Sequence, residues 1–170
     1  KKIALSVAVG FFSNFAFAQT LQDGVDNADS HKYAKAKEVF TQMIAKSPTS
    51  ENYFYLGNAY LTQFEPNFEL AQENFNKGLA ADKKSNLNKI GLASAKLGKG
   101  DKSGLTEIQN IVKDARDKDA EVLYRAAEAL TLFGGAANAD IAVDYLNRAV
   151  EKSQKGGTPA YYYYTLGDAY

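Results

Sequence analysis

The stretch Leu56-Gly57-Asn58-Ala59-Tyr60 decides the fold, because related stretches recur along the chain. It returns as Ile90-Gly91-Leu92-Ala93-Ser94 and again as Leu166-Gly167-Asp168-Ala169-Tyr170. Gly57 and Gly91 are 34 residues apart, and a fixed period of that length indicates an array of helical repeats. Each unit of such an array is a helix pair that buries its apolar face only by stacking on the next unit. The sequence therefore predicts a scaffold rather than a pocket-centred enzyme fold.

A second recurring pattern follows each glycine with helical spacing. Ala36, Phe40 and Met43 are spaced like Ala71, Phe75 and Gly78, and like Ala142, Leu146 and Ala149. A small residue followed by a large apolar one four positions later lies on a single helical stripe. The small residue lets two helices approach closely, and the large one fills the adjacent groove. We therefore expect Gly57 and Gly91 to touch the second helix of their own units.

With these residues the chain resembles the tetratricopeptide repeat (TPR) family, whose unit is a 34-residue helix–turn–helix with a Leu-Gly, Tyr, Ala, Phe and Pro pattern. The resemblance implies an all-α fold, a right-handed α-solenoid of about four and a half stacked units. The units are 19–49, 50–84, 85–118, 119–157 and 158–170. We read residues 19–170 as one repeat domain that continues beyond Tyr170. Tyr161 to Tyr164, together with Leu166 and Tyr170, would then form an exposed face able to self-associate.

The first eighteen residues have the layout of a secretory signal peptide. Lys1-Lys2 is a basic start, residues 3–12 are apolar, and Ala16-Phe17-Ala18 is a small-x-small cleavage site. The alternative is a buried first helix of the array. The apolar run is too short for a permanent anchor, which needs about 20 residues. We expect cleavage between Ala18 and Gln19 and a bacterial periplasmic or secreted product, without stable membrane insertion.

Composition restricts the possible partners and chemistry. Acidic and basic residues balance at 20 each, so no electrostatic footprint for nucleic acid is expected. The chain has no cysteine, and His31 is the only histidine, so we expect no metal site, no cofactor and no catalytic residues. His31 is expected in a solvated turn between two helices. A stable exported fold must rely on helix packing, since no disulfide is available.

The resemblance to the TPR family implies that the first helix of each unit lines a concave groove in which a partner's peptide segment binds. The candidate contacts carried over from the family are Phe54, Asn58, Asn88, Lys89, Tyr124, Arg125 and Tyr164, within a wider set that includes Tyr55, Glu128 and Asp168. Aromatic residues, amides and Arg are enriched at interface hot spots. For Tyr124 and Tyr164, packing between helices remains an equal alternative.

Three functions remain open from the sequence. The favoured one is a non-enzymatic protein-interaction scaffold of the bacterial cell envelope, with a protein or peptide partner in the concave groove. The second is a structural arm of a larger envelope or secretion assembly. The third is the N-terminal module of an enzyme or anchoring protein whose other domain follows residue 170.

Overall fold

Helices account for nearly all of the structure, a computed structural model that describes residues 20–115 and 119–170. Within these residues there is no strand. The helices are α1 (Leu21–Asp29), α2 (Tyr33–Lys46), α3 (Ser50–Thr62), α4 (Phe68–Ala81), α5 (Asn86–Gly98), α6 (Ser103–Asp114), α7 (Ala120–Phe133), α8 (Ala139–Ser153) and α9 (Ala160–Ala169). Two short 3-10 turns, Ala136–Asn138 and Gln154–Gly156, flank α8. The expectation of an all-α fold is confirmed. The predicted signal peptide and its cleavage site at Ala18 and Gln19 lie outside the described residues.

Side-chain caps fix where most of the first helices of the predicted units begin. Thr20 and Asp23 form a reciprocal capping box at α1, with the Thr20 amide donating to the Asp23 carboxylate at 2.7 Å. Thr49, Ser85 and Asp119 accept hydrogen bonds from amides in the first turns of α3, α5 and α7. Such caps satisfy amides that have no partner within the helix. The local sequence therefore sets the start of each of these helices.

Successive helices pack in pairs, and alternate helices also touch. Each of the first four predicted units holds two consecutive helices, and the fifth holds α9. Beyond the contacts between neighbours in the chain, α3 contacts both α1 and α5, and α7 contacts both α5 and α9. The first helices therefore form a continuous layer, and the second helices pack against it.

The repeated small and large residues lie at the helix crossings. Ala36, Phe40, Ala71 and Phe75 are at most 1% exposed. A Cβ atom added to Gly57 would lie 2.6 Å from Cε1 of Phe75, which belongs to α4 in the same unit. The predicted contact of Gly57 with its own unit is therefore confirmed.

Gly91 has its nearest neighbour in a different unit. The three atoms nearest to a Cβ atom added at Gly91 all belong to the ring of Phe75, in the preceding unit. The close backbone approach within the third unit is made by Gly104, whose added Cβ would meet backbone atoms of Ala93 and Leu97. The ring of Phe75 is therefore held between Gly57 of α3 and Gly91 of α5.

Replacing Gly57 with Ala should destabilise the protein, because the added methyl group overlaps a ring that is enclosed on both sides. Overpacking of this kind costs about 1–3 kcal/mol, partly offset by the gain of about 1 kcal/mol that Ala has over Gly in a helix. Urea denaturation should show a net loss of stability. A Phe75→Leu change should reduce that loss in a double-mutant cycle.

Gly167→Ala is the matched control for this substitution. Gly167 is also helical, but a Cβ atom there would have no atom within 4 Å, so this variant should gain up to about 1 kcal/mol. Equal stabilisation by Gly57→Ala and Gly167→Ala would show that the α3–α4 crossing accommodates a methyl group at position 57, which would contradict the predicted overlap with Phe75.

Candidate binding cavity

A cavity of about 750 Å³ lies where α1, α3, α7 and α9 converge. Its walls combine residues distant in sequence, among them Asp29 of α1, Asn58 of α3, Glu128 of α7 and Thr165 of α9. The turn between α1 and α2 closes one side, where His31 has a positive φ of 57°. His31 is exposed in this turn, as predicted.

Arg125 lies at the base of this cavity and is only 5% exposed. Its Nε donates to Glu121 Oε1 at 2.8 Å, and a terminal nitrogen donates to Glu128 Oε2 at 3.1 Å. The two carboxylates are one helical turn before and one after Arg125, so all three side chains share one face of α7. The buried guanidinium is thus paired with two acids from its own helix.

Aromatic rings from three helices surround the same guanidinium. Its central carbon is 4.8 Å from the ring centre of Tyr124, 5.7 Å from those of Phe54 and Tyr55, and 5.8 Å from that of Tyr161. A cation within about 6 Å of an aromatic ring is attracted by the ring's electron-rich face. Arg125 therefore links α3, α7 and α9 through one buried group.

The carboxylates of Glu121 and Glu128 also accept hydrogen bonds from nearby tyrosine hydroxyls. Tyr55 and Tyr162 donate to the two oxygens of Glu121, at 3.4 and 3.2 Å. Tyr124 donates to Glu128 at 3.2 Å, and its ring stacks on that of Tyr162 with centres 4.4 Å apart. Each carboxylate is therefore shared between a guanidinium and at least one phenol.

This environment fixes the protonation states at the base of the cavity. Burial would lower the pKa of Arg125, but Glu121 and Glu128 raise it well above its usual value, so the guanidinium stays charged. Burial raises the pKa of Tyr55 to about 12 and raises the pKa values of Tyr124 and Tyr161 further. These phenols remain neutral hydrogen-bond donors at physiological pH.

Asp29 is an acid on the cavity wall whose pKa is shifted toward neutrality. Desolvation by the surrounding helices, together with Glu128, Asp26 and Glu121, raises the pKa of Asp29 to about 6, although Arg125 opposes the shift. Asp29 is nevertheless exposed as a residue, although the surrounding helices and acids disfavour its charge. The wall therefore holds a carboxylate that a nearby positive charge would stabilise.

The structure brings four of the predicted groove residues together at this cavity: Asn58, Tyr124, Arg125 and Tyr164. Arg125 and Tyr124 are at most 5% exposed, so they form its base rather than freely accessible contacts. Tyr164 is 76% exposed at its edge. For Tyr124, the packing alternative from the sequence describes its position; for Tyr164 it does not.

The other three predicted groove residues do not line this cavity. Phe54 is 0% exposed, and its ring packs against those of Tyr55 and Phe75. Asn88 is also 0% exposed, and its amide donates to the carbonyl and hydroxyl oxygens of Ser50. Their expected role as groove contacts is corrected to helix packing, because Phe54 is covered by Phe75 of its own unit and Asn88 bonds to Ser50 of the preceding unit. Lys89 is half-buried on α5, away from the cavity.

The tyrosines of α9 also differ from expectation. Tyr162 is 2% exposed and Tyr161 is half-buried, because both pack on Tyr124. The exposed aromatic residues of this segment are Tyr163, Tyr164 and Tyr170. The predicted exposed face is therefore narrower than the run of tyrosines suggests.

Sequence reasoning missed several residues of this site. Asp29, Tyr33 and Tyr161 line the cavity but were not identified as candidates, because nothing in the repeat pattern places α1 opposite α9. The sequence did contain a signal for the charged group at the base of the cavity. Glu121, Arg125 and Glu128 have the spacing of ion pairs on a helix. Two acids flanking an arginine in an apolar segment could have indicated a buried charged group.

Comparisons with known proteins assign no family to this arrangement. No protein-family model matches the chain, and no curated protein is significantly similar to it. Across residues 20–115 and 119–170, no group of three or more potential ligand side chains is placed to hold a metal ion. None of the helices in these ranges has both the length and the apolar character that crossing a membrane requires.

Asp29→Asn should stabilise the protein at pH 7.5 but not at pH 4. The pKa of Asp29 rises from its ordinary value of 3.8 to about 6 on folding, so the free energy of unfolding decreases as pH rises from about 4 to 6. Asn removes this cost. Because Asp29 is exposed as a residue, we expect a gain of about 1 kcal/mol rather than the full value of the shift.

Urea denaturation at the two pH values measures this difference. Glu151→Gln is the matched control, since Glu151 is an exposed acid in the last turn of α8 and does not line the cavity. A stability gain from Asp29→Asn that is equal at pH 4 and pH 7.5 would contradict the assigned cost of ionising Asp29.

Proposed function

We propose that this protein is a non-enzymatic binding module that holds an extended segment of a partner protein in the cavity between α1, α3, α7 and α9. The observation that carries the proposal is the cavity itself, whose volume of about 750 Å³ is in the range typical of ligand sites. Among its wall helices, α1 packs on α3 and α7 packs on α9, and Arg125 of α7 contacts rings of α3, so the contact surface is formed before a partner arrives. Such preorganisation lowers the entropic cost of binding.

The shape of the rim favours a segment of polypeptide. Tyr164 is 76% exposed and Leu132 is 50% exposed, and both lie at the cavity. These two side chains extend the apolar surface outward from the opening. A bound polypeptide that continues past the cavity could pack against this surface. Exposed apolar groups rimmed by polar ones commonly mark interaction sites.

We further propose that the helices form a right-handed α-solenoid of the TPR type. Three observations support this: two helices fall in each of the first four predicted units, alternate helices contact one another, and Gly57 meets Phe75 as the repeat pattern requires. In this arrangement the layer of first helices is the concave side, which is where the cavity opens. Export to the bacterial cell envelope, based on residues 1–18, remains a prediction.

A role in a larger assembly is the second candidate, favoured by the exposed aromatic residues of α9. Tyr163 is 54% exposed and Tyr170 is 86% exposed. Another helix or a second copy of the chain could pack there without occupying the cavity. The two roles use different residues and are separable by experiment.

Photo-crosslinking tests the binding function at the level of individual residues. A benzophenone amino acid replacing Tyr164 should form covalent adducts with a partner protein in the native cells, because this position lies at the opening. The same amino acid at Phe64 is the matched control, since Phe64 is aromatic and 92% exposed but does not line the cavity. Mass spectrometry should place the adducts in one segment of the partner.

Adducts that form equally from both positions would indicate non-specific contact. An absence of adducts from position 164, with adducts from position 163 or 170, would shift the interaction to the outer face of α9. Either result would remove the cavity as the partner site.

A further inference from the structure

The cavity carries a local excess of negative charge in a chain that is neutral overall. The whole sequence has 20 acidic and 20 basic residues. Around the cavity, however, four carboxylates accompany a single guanidinium, that of Arg125. They belong to Asp26, Asp29, Glu128 and Asp168. Since Arg125 is already bonded to Glu121 and Glu128, it compensates the charge of Asp29 only in part.

Two of these acids have no internal hydrogen-bond donor. Within the described ranges, neither Asp29 nor Asp168 accepts a hydrogen bond from another group of the chain, whereas Asp26 accepts one from Gln22 at 2.7 Å. Asp29 is on α1 and Asp168 is on α9, so they approach the cavity from different helices. Both carboxylates are therefore available to a ligand that enters between these helices.

The protein's own Arg125 shows how this environment accommodates a cation. Its guanidinium is held by two carboxylates at 2.8 and 3.1 Å and by four aromatic rings within 5.8 Å. The cavity beside it presents the same kinds of group, namely acids together with the rings of Tyr33, Tyr161 and Tyr164. Carboxylates with aromatic faces favour Lys and Arg side chains, through charge and cation–π attraction.

The raised pKa of Asp29 agrees with a cationic ligand in the cavity. Its ionised form is disfavoured by burial and by the acids Asp26, Glu121 and Glu128, and Arg125 relieves this only in part. Tyr33, from α2, also faces it. A bound cation would stabilise the carboxylate and so lower the pKa of Asp29. Residues that cost stability in the free protein are common at functional sites.

We propose that the cavity binds a basic peptide segment, with its Lys or Arg side chains between Asp29, Asp168 and the tyrosine rings. This inference rests on the proposed function, since it specifies the chemistry of the segment that the cavity holds. The exposed Tyr164 and Leu132 at the rim provide the surface along which the rest of the peptide lies. A free amine would use the acids but leave this rim uncovered.

Fluorescence anisotropy with defined peptides tests the proposal. The purified full chain is titrated into a short labelled peptide containing lysines, and into versions in which glutamate or acetyl-lysine replaces each lysine. The lysine peptide should bind at least about tenfold more tightly than either version. Its affinity should fall as salt rises, because exposed charge pairs are screened. Spermidine serves as the free-amine competitor and should displace the peptide only weakly.

Substitution of the acids that line the cavity tests whether the peptide binds there. Asp29→Asn and Asp168→Asn should each weaken binding by about threefold to tenfold, and the double variant by more. Neither residue holds the helices together through a hydrogen bond described above, so the fold should persist, as circular dichroism can verify. Glu151→Gln, which removes an acid from outside the cavity, should leave the affinity unchanged.

The pH dependence of peptide affinity tests the contribution of Asp29 separately. Binding of the lysine peptide should weaken as pH falls from 7.5 to 5, because protonation of Asp29 removes a negative charge. His31 also lines the cavity, so both proteins carry His31→Gln in this measurement, and the Asp29→Asn variant should lose most of the remaining dependence. An unchanged pH profile in this variant would overturn the role assigned to Asp29.

Failure of this inference is distinguishable from failure of the binding function. If crosslinks from position 164 fall in an acidic or uncharged partner segment, the cavity is a binding site but the basic-peptide proposal is overturned. Equal affinity for the lysine and glutamate peptides would overturn it too. Tight binding of spermidine without binding of the lysine peptide would show a site for free amines instead. If no crosslinks form at position 164, the proposed function itself fails.

Discussion

The buried guanidinium of Arg125 is the interaction on which the cavity depends. Removing a charge from water is costly, and the cost is recovered only when the charge is paired and hydrogen-bonded. Glu121 and Glu128 supply the paired charges, while rings from α3, α7 and α9 supply the surrounding contacts. The ion pairs are made within α7, while the ring contacts join α3 and α9 to the same guanidinium, so the three helices meet at the place where the cavity forms. The guanidinium suits this position because its flat, delocalised charge both stacks on rings and bonds to carboxylates.

A purely steric constraint positions the helices that bring Arg125 to this point. The ring of Phe75 fills the space left by Gly57 on α3 and Gly91 on α5, which fixes α4 against both helices. Because α5 in turn contacts α7, the spacing of the first helices is set before any charged group is considered. The glycines therefore determine how closely the helices approach one another. Arg125 determines which charged and aromatic groups meet at the base of the cavity.

Sequence reasoning predicted the helices and their pairing better than the site. Helix boundaries follow from caps and periodicity, and Phe75 met Gly57 as the repeat spacing required. The same spacing could not decide which side of a first helix faces the cavity and which faces the next unit. Phe54 and Asn58 lie one turn apart, yet Phe54 is buried against Phe75 whereas Asn58 reaches the cavity. The two residues share one face of α3, and tertiary packing separates them, because Phe75 from the second helix of the same unit covers Phe54. Asp29 was missed for the same reason, since α1 and α9 are opposed only through tertiary packing.

Distance measurements between α3 and α9 test the organising role of Arg125 most directly. The chain has no cysteine, so spin labels can be placed at two introduced cysteines replacing the exposed residues Glu51 and Tyr163. Pulsed electron paramagnetic resonance should give a narrow distance distribution in the parent protein. Arg125→Met, which leaves Glu121 and Glu128 without their buried cation, should broaden it markedly. A label pair at Lys77 and Thr106, on α4 and α6, should stay narrow in both proteins. An unchanged, narrow distribution between α3 and α9 in Arg125→Met would contradict the claim that this guanidinium holds the cavity together.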